Sequence, residues 1–206
     1  MPDVAEPPLS RAGHLTFGCL ASSYKLTHPV INCWSLILHA VPHSKLFLKN
    51  TSLQFDDNRN FLLRRFAHHG IGPDRIVMEG PAAHAAFVTA YRNVDIALDT
   101  FPYNGGTTTI EALWQGVPVL TFYGDRWAAR QGASLLRASG LPEFVASSMD
   151  DYVSRAKTIG LDPFTPTRLA RLRPDLRRRI AQSPVCDTVA LAREMEKLYQ
   201  QMTFHP

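Results

Sequence analysis

The sequence is poor in cysteine, and none of its cysteines is spaced as a metal-binding or redox pair. Its three cysteines, Cys19, Cys33 and Cys186, lie far apart and are odd in number, which argues against a disulfide framework and against a zinc site. We therefore expect no metal site, and a reducing, cytoplasmic location.

Long apolar runs and a secretory leader are also missing. No apolar stretch approaches the roughly 18 residues that a membrane-spanning helix needs. The opening segment MPDVAEPP lacks the basic and apolar regions of a signal peptide. We expect no membrane partner.

Two nucleotide-binding motifs are absent as well. The chain contains no G-x-x-x-x-G-K-[ST] segment, which disfavours a P-loop hydrolase. No G-x-G-x-x-G follows the first predicted strand, which argues against a nicotinamide-dependent dehydrogenase. Charge is less decisive, because a net charge of +4 suits an anionic small ligand, a nucleic acid or an acidic partner surface equally well.

The sequence does contain an alternation of short apolar strands with amphipathic helices. We predict strands at 15–20, 45–49, 75–78, 95–99 and 117–122. We predict helices at 29–41, 56–69, 83–93, 107–115, 126–139, 150–159, 167–181 and 188–202. Residues 1–14, rich in proline and polar side chains, are predicted to be a linker, and residues 15–206 to be one domain.

This alternation predicts an α/β fold, a Rossmann-like parallel sheet with helices on both faces. Ligands bind such a sheet at the carboxyl ends of its strands, on the loops that lead into the helices. Three loops are therefore candidates for a binding site, at residues 21–27, 79–84 and 100–108.

The strongest signal is the segment DTFPYNGGTTTIEAL at residues 99–113. Gly105 and Gly106 allow the backbone to approach a ligand closely. The threonines at 107–109 then open a helix whose free N–H groups favour an anion, and the Glu111 carboxylate is suited to sugar or ribose hydroxyls. The alternative is an ordinary glycine turn with a threonine N-cap and a first-turn acid.

The other two loops carry weaker signals. Lys25, which ends a Ser-Ser-Tyr-Lys run, has the charge to neutralise a leaving diphosphate, although a lone surface lysine is more often simply solvated. The segment 80–87 has backbone groups and an aromatic ring, that of Phe87, which are suited to binding a base. Alternatively, Phe87 is a core residue and His84 only begins a helix. Arg130 is suited either to an internal salt bridge or to contact with the ligand, and we interpret it as structural.

Taken together, these segments resemble the protein O-linked N-acetylglucosamine transferase family, including its SPINDLY branch. The resemblance covers residues 15–203, and its most specific segment is DIALDTFPYNGGTTTIEALWQGVPVLTFYG. Shorter matches lie at 24–26, 183–186 and 194–202. The resemblance implies a GT-B glycosyltransferase architecture, of which this sequence is similar to the C-terminal, donor-binding half.

The resemblance also implies how a donor is held. In the family, the lysine matching Lys25 contacts the donor diphosphate, and the threonines matching Thr107 and Thr108 bind phosphate oxygens. The acid matching Glu111 binds the ribose. The family inverts configuration at the sugar and requires no metal for the chemical step. The implied substrate is a nucleotide sugar, with no cofactor and with Lys25 as the residue that acts on the leaving group.

For the base, the resemblance assigns the backbone of Ala82 to recognition and the ring of Phe87 to stacking. At three further donor-contact positions the sequence departs from the family pattern, with Ser22 in place of Gln, His84 in place of Lys and Gly106 in place of His. The Gly-Thr-Thr-Thr run is closer to the SPINDLY branch. The donor therefore stays open between UDP-linked N-acetylglucosamine, which we expect, and the guanosine-linked fucose that some SPINDLY members use.

Two parts of the family pattern are not found in this sequence, the N-terminal catalytic half and the tetratricopeptide repeats. No repeat with a period of about 34 residues is present. The surface that binds the protein acceptor and the general base therefore have no assigned residues. We expect this chain alone to bind nucleotide diphosphates but to transfer sugar poorly or not at all.

Three other functions are alternatives. The first is a nucleotide-binding module without catalysis. The second is a nucleotide-sugar epimerase, which needs an acid and a base for which no distinctive pair stands out. The third is a nucleic-acid-binding module that uses the arginines of residues 168–179. Because the apolar residues of that segment recur at helical spacing, we interpret it as a solvated basic helix face and expect no nucleic-acid partner.

Overall fold

Six parallel strands form one sheet in the computed structural model, which describes residues 2–204. The strands are β1 (Thr16–Cys19), β2 (Lys45–Lys49), β3 (Ile76–Glu79), β4 (Ile96–Leu98), β5 (Val119–Phe122) and β6 (Val145–Ala146). Their order in the sheet is β3-β2-β1-β4-β5-β6, which is the order of the doubly wound dinucleotide-binding fold. The predicted Rossmann-like parallel sheet is confirmed.

Helices connect the strands and follow the sheet. The α-helices of the described chain are α1 (Leu9–Ala12), α2 (His28–Ala40), α3 (Asp56–His68), α4 (His84–Thr89), α5 (Thr107–Trp114), α6 (Gln131–Ala138), α7 (Met149–Leu161), α8 (Thr165–Ala181) and α9 (Thr188–Phe204). α2 packs against α7, and α5 packs against α8. None of the described helices is both long and apolar enough to cross a bilayer.

The core explains why the strands are almost continuously apolar. Phe17 in β1, Leu46 and Leu48 in β2, Ile96 in β4 and Leu120 in β5 have no exposed surface. Strands of a parallel sheet are covered on both faces, so neighbouring residues that point in opposite directions both have to be apolar.

The predicted elements differ from the observed ones in a few places. The five predicted strands are present, with ends shifted by no more than two residues. β6 was not predicted, because two residues are too short to show the alternation of a strand. The helix predicted at 126–139 begins later, since Arg126 is extended (φ −128°, ψ 164°) and α6 starts only after a 3-10 turn at Trp127–Ala129. The helix predicted at 83–93 divides into α4 and a 3-10 turn at Ala90–Asn93.

Residues 2–14, most of the segment predicted to be a linker, contact the domain. Pro7 and Pro8 are buried. The Asp95 carboxylate accepts hydrogen bonds from the backbone N–H of Leu9 at 3.0 Å and from that of Thr16 at 2.8 Å. This carboxylate therefore joins α1 to the start of β1. The domain boundary at residue 14 stays a prediction.

The basic segment 168–179 is only partly the solvated face that we predicted. Arg173 is 1% exposed and donates to the carbonyls of Val94 at 3.0 Å and Tyr91 at 3.2 Å. Arg177 donates to the carbonyl of Trp114 at 2.8 Å. The apolar pattern of α8 did not separate these arginines from the exposed ones, since a long arginine stem packs like an apolar side chain while its head reaches a distant acceptor.

Candidate functional site

The sheet order places a crevice beside β1 and β4. From β1 the chain continues toward β2 on one side, and from β4 it continues toward β5 on the other, so the loops after these two strands lie on either side of a topological switch point. Ligands of open α/β sheets bind at such a point. The loops are residues 20–27 and 99–106, and they include two of the three loops selected from the sequence.

Asp99 organises the loop that follows β4. The side chain is buried, and its Oδ1 accepts from the backbone N–H of Thr100 at 2.9 Å and of Gly105 at 2.6 Å. Its Oδ2 accepts from the hydroxyl of Thr121, in β5, at 2.8 Å. Burial raises the pKa of Asp99 to about 6, and the hydrogen bonds from Gly105, Thr121 and Thr100 oppose that rise.

Two glycines allow this packing. A Cβ on Gly105 would lie 2.6 Å from the Thr109 hydroxyl oxygen and 2.8 Å from that of Thr108. A Cβ on Gly132, in α6, would lie 2.3 Å from the Asp99 Oδ2. All three distances are shorter than real Cβ contacts, so a methyl group at either glycine would force the atoms around the Asp99 carboxylate to shift.

Within residues 2–204, no side chain caps the N-terminus of α5. Its N-cap residue is Gly106, and no side chain accepts a hydrogen bond there. The threonine N-cap that we considered as the alternative is therefore not formed. Thr107 is exposed and Thr108 is half-buried. The first-turn N–H groups, the positive end of the helix dipole and these two hydroxyls form a surface suited to an anion.

Lys25 meets this surface from the other loop. It ends a 3-10 turn at Ser23–Lys25 and is half-buried. Its Nζ donates to the carbonyl of Asn104 at 2.8 Å and lies 3.8 Å from the centroid of the Tyr103 ring. The alternative of a simply solvated lysine does not fit these contacts, which hold the charge next to the loop of Gly105 and Gly106.

A second contact joins α4 to α5 on the side of Glu111. The His84 Nε2 lies 3.0 Å from the Glu111 Oε1, with the histidine side chain 71% exposed and the glutamate side chain 13% exposed. His84 is the first residue of α4. The structure therefore brings the loop after β3 to the same edge as the glycine-rich loop, as the sequence predicted.

The remaining predicted positions lie on the flanking loops. Ser22 and Ala82 are exposed, and Ser22 is the N-cap of the 3-10 turn that carries Lys25. Phe87 is half-buried and packs against the core, so part of the ring stays at the surface. These positions flank the contacts formed by Lys25 and Glu111, and their roles toward a ligand stay predictions.

Open space adjoins the start of α5. A cavity of about 410 Å³ is lined by Gly106, Thr107, Trp127 and Gln131, among others. A larger cavity of about 680 Å³ lies between α7 and α8 and contains none of the predicted site residues. Volume alone would select the second cavity, but the first adjoins the start of α5 and the loop of Gly105 and Gly106, where the predicted site residues lie.

Several residues with a place in this site had no role in our sequence-based prediction. Asp99, Tyr103 and Asn104 lie inside the recognised segment, and the signal for Asp99 was an acid at the end of a buried strand. Thr121 and Gly132 gave no local signal, since they matter only through their contact with Asp99.

Arg130 makes contacts within its own loop and also lines the cavity beside the start of α5. Its guanidinium donates to the carbonyls of Gly124 at 3.1 Å and Asp125 at 3.0 Å. It also lies 5.0 Å from the centroid of the Tyr123 ring. These contacts fold the loop between β5 and α6.

In the described chain, the cysteines are free thiols and the side chains that could bind a metal are not clustered. Cys19 and Cys33 are buried free thiols, and burial raises the pKa of each to about 12. Across residues 2–204, no three histidine, cysteine or carboxylate side chains are grouped so as to hold a metal ion.

Comparison with solved structures supports the architecture. An O-GlcNAc transferase mutant from Thermobaculum terrenum superposes with a TM-score of 0.83 at 34% identity, over 92% of this chain and 36% of that one. Sucrose-phosphate synthase from Thermosynechococcus elongatus superposes with a TM-score of 0.59 at 17% identity, over 98% of this chain and 51% of that one, and shows the fold alone. The fold is that of one half of a GT-B glycosyltransferase.

Sequence comparison identifies the family. Two of the relatives are named as probable UDP-N-acetylglucosamine–peptide N-acetylglucosaminyltransferase SPINDLY. The relative from Solanum lycopersicum is 38% identical over 97% of this chain and 21% of its own length. That of Oryza sativa is 39% identical over 97% of this chain and 21% of its own length. The chain thus spans about a fifth of these curated relatives. The model of glycosyl transferase family 41 matches residues 13–195, and the chain belongs to that family.

Proposed function

We propose that this chain is the donor-binding half of an inverting glycosyltransferase and holds the diphosphate of a nucleotide sugar at the N-terminus of α5. One arrangement carries the proposal. At the β1/β4 switch point, the Lys25 ammonium is bound to the loop that leads into an uncapped helix N-terminus, and the Glu111 carboxylate lies one turn further along the same helix. Such a row of groups matches the phosphates and the ribose of a nucleotide in turn.

In this proposal the diphosphate is stabilised by fixed positive groups. The hydroxyls of Thr107 and Thr108 and the first N–H groups of α5 donate to phosphate oxygens, and Lys25 neutralises the charge that develops as the diphosphate leaves. Groups that are already oriented in the free protein need no rearrangement at the moment of reaction. The attacking hydroxyl approaches the anomeric carbon from the opposite face, which inverts its configuration.

The nucleoside lies on the Glu111 side. Glu111 accepts from the ribose hydroxyls, the backbone at Ala82 reads the edge of the base, and Phe87 stacks on its face. His84 contacts Glu111 at 3.0 Å, so it orients the carboxylate or changes partner when the ribose binds. Ser22 and Gly106 complete the donor contacts, and no metal or cofactor takes part in the proposed step.

We further propose that the donor is UDP-N-acetylglucosamine and that the acceptor is a serine or threonine of a protein, once the N-terminal catalytic half of such an enzyme is joined to this chain. The support is the activity for which the SPINDLY relatives are named. Guanosine-linked fucose is the alternative donor. Alone, the chain is proposed to bind the donor but to transfer sugar poorly or not at all, and to reside in the cytoplasm.

Calorimetry with UDP, GDP, UDP-N-acetylglucosamine and GDP-fucose tests the proposal and ranks the donors. We expect one diphosphate series to bind, and Lys25→Ala to weaken UDP or GDP more than uridine or guanosine. Lys157→Ala, at an exposed position of α7, is the matched control and leaves binding unchanged. Wild-type chain that binds none of the four ligands would indicate a scaffold rather than a donor site. Efficient glycosylation of a protein by this chain alone would overturn the proposed division of labour.

A further inference from the structure

Lys25 and Tyr103 come from different loops and meet at the carboxyl edge of the sheet. The Lys25 Nζ lies 3.8 Å from the centroid of the Tyr103 ring, and the same atom donates to the carbonyl of Asn104 at 2.8 Å. A lysine ammonium has three N–H groups. The carbonyl uses one of them and the ring covers a second side, so a further N–H remains for a phosphate oxygen.

The Tyr103 backbone is fixed by its own loop. The carbonyl of Tyr103 accepts from the Thr100 hydroxyl at 2.7 Å. The next residue, Asn104, donates its backbone N–H to Ala128 at 2.9 Å and its side-chain amide to the Thr100 carbonyl at 2.8 Å. Tyr103 as a whole is 46% exposed. Packing in the core therefore does not explain where the ring lies. The charged group in contact with it is the Lys25 ammonium.

The charge of Lys25 is a second reason to consider its contact with the Tyr103 ring important. Lys25 forms no ion pair with a carboxylate anywhere in residues 2–204, although other lysines, such as Lys49 with Glu79, do. An ammonium over an aromatic ring is attracted by the negative face of the ring and still carries the charge that a phosphate needs. A long lysine side chain otherwise loses considerable rotamer entropy when it is held in one place. If the Tyr103 ring already holds the Lys25 ammonium in the free protein, less rotamer entropy is lost when the anion binds.

We propose that Tyr103 is a positioning residue, whose ring holds the Lys25 ammonium beside the N-terminus of α5 for the diphosphate of the donor. The inference rests on the proposed function, because it requires that Lys25 bind the diphosphate. It assigns a role to the ring alone, so the phenol hydroxyl is dispensable.

Tyr24 offers a matched control. Its ring centroid lies 6.4 Å from that of Tyr103, and it is more exposed, at 69%. Within the described chain the Lys25 ammonium lies over the ring of Tyr103 and not over that of Tyr24. Tyr103→Leu removes the ring under the ammonium, Tyr103→Phe keeps it, and Tyr24→Leu removes a neighbouring exposed ring.

Nuclear magnetic resonance of ¹³C-labelled lysine tests the geometry without any ligand. A ring below the ammonium shifts the Lys25 ε-methylene protons upfield. We expect this shift in the wild-type chain, in Tyr103→Phe and in Tyr24→Leu, and its loss in Tyr103→Leu. An unshifted Lys25 resonance in the wild type, or one that Tyr103→Leu leaves in place, would overturn the inference.

Calorimetry then tests the consequence for binding, with UDP and GDP as probes and uridine and guanosine as references. Tyr103→Leu should weaken diphosphate binding about two- to fivefold, the effect of an exposed cation–π contact, and leave nucleoside binding unchanged. In a Lys25→Ala background the same substitution should have no further effect. Additive losses, or equal losses for diphosphate and nucleoside, would overturn the positioning role.

The outcomes separate the two proposals. A wild-type chain that binds neither diphosphate overturns the proposed function, and the positioning role with it. A wild-type chain that binds a diphosphate and is weakened by Lys25→Ala, but not by Tyr103→Leu, overturns the positioning role alone. A loss in Tyr103→Phe equal to that in Tyr103→Leu would assign the effect to the hydroxyl instead of the ring.

Discussion

The buried carboxylate of Asp99 accepts a hydrogen bond from the backbone N–H of Gly105 across 2.6 Å. Six residues of chain, 99–104, lie between the end of β4 and the turn at Gly105 and Gly106, and this bond closes them into a fixed loop. The other oxygen of the carboxylate is held by Thr121 of the next strand. The shape of the predicted diphosphate site therefore depends on one ionisable group that itself faces away from solvent.

Thr121→Val should destabilise the domain by about 1.5–3 kcal/mol near pH 8, because it removes a hydrogen bond to a buried charged group without changing the size of the side chain much. Urea unfolding measures the effect. Thr167→Val, at an exposed position of α8, should change stability by no more than about 0.5 kcal/mol. Equal effects of the two substitutions would mean that the Thr121 hydroxyl does not support Asp99.

Asp99 should also make stability depend on pH in a defined direction. Its pKa is raised from 3.8 to about 6 in the folded chain. The folded state therefore binds this proton more tightly than the unfolded state does. The resulting stability is complete below about pH 3.8 and is lost as the pH rises through about 6. The loss is on the order of 3 kcal/mol for a shift of this size.

The measurement compares unfolding free energies of wild type and Asp99→Asn between pH 4 and pH 8. Their difference, wild type minus variant, should fall as the pH rises across this range. A carboxyl ¹³C titration of Asp99 should have its midpoint near 6. A midpoint near 4, or a difference that stays flat with pH, would contradict the prediction.

Gly132→Ala should disturb the same carboxylate from the opposite side. The new methyl group would lie 2.3 Å from the Asp99 Oδ2 and 2.8 Å from the Thr121 hydroxyl oxygen, so the helix or the carboxylate has to move. Overpacking of this kind costs about 1–3 kcal/mol, and a shifted loop should also weaken UDP or GDP binding.

The control for Gly132→Ala is Gly72→Ala, where the added methyl group meets only the flexible side chain of Asp74. Thermal unfolding and diphosphate titration should show little change there. Normal diphosphate affinity in a clearly destabilised Gly132→Ala would separate the packing of Asp99 from the shape of the binding site.

Much of this architecture could be predicted because its signals are local. The apolar runs of β1, β2 and β4 and the helix-opening threonines after Gly105 and Gly106 appear within a few residues of sequence. β6 could not be predicted from two residues, nor could the inward direction of Arg173, which depends on carbonyls that lie 79 and 82 positions away.

In the candidate site, too, some features could be predicted from local sequence signals and others depend on distant residues. The sequence indicated that Lys25, Thr107 and Glu111 belong to one edge, because strand ends of a parallel sheet share an edge. The contact between Lys25 and Tyr103 depends on how two loops lie side by side, 78 positions apart in sequence. No periodicity or motif in the sequence predicts a contact between two such loops, and only the folded structure shows it.

Glu111→Ala should identify the nucleoside side of the site. If the Glu111 carboxylate accepts from the ribose, its removal should weaken UDP, UMP and uridine alike, by about ten- to hundredfold for a hydrogen bond to a charged group. Lys25→Ala should instead act on the diphosphate alone. Glu196→Ala, at an exposed position of α9, is the control. The pattern of losses across the three ligands decides the orientation. If Glu111→Ala spares uridine and weakens only UDP, Glu111 acts at the phosphates and the nucleoside has to lie elsewhere along the edge.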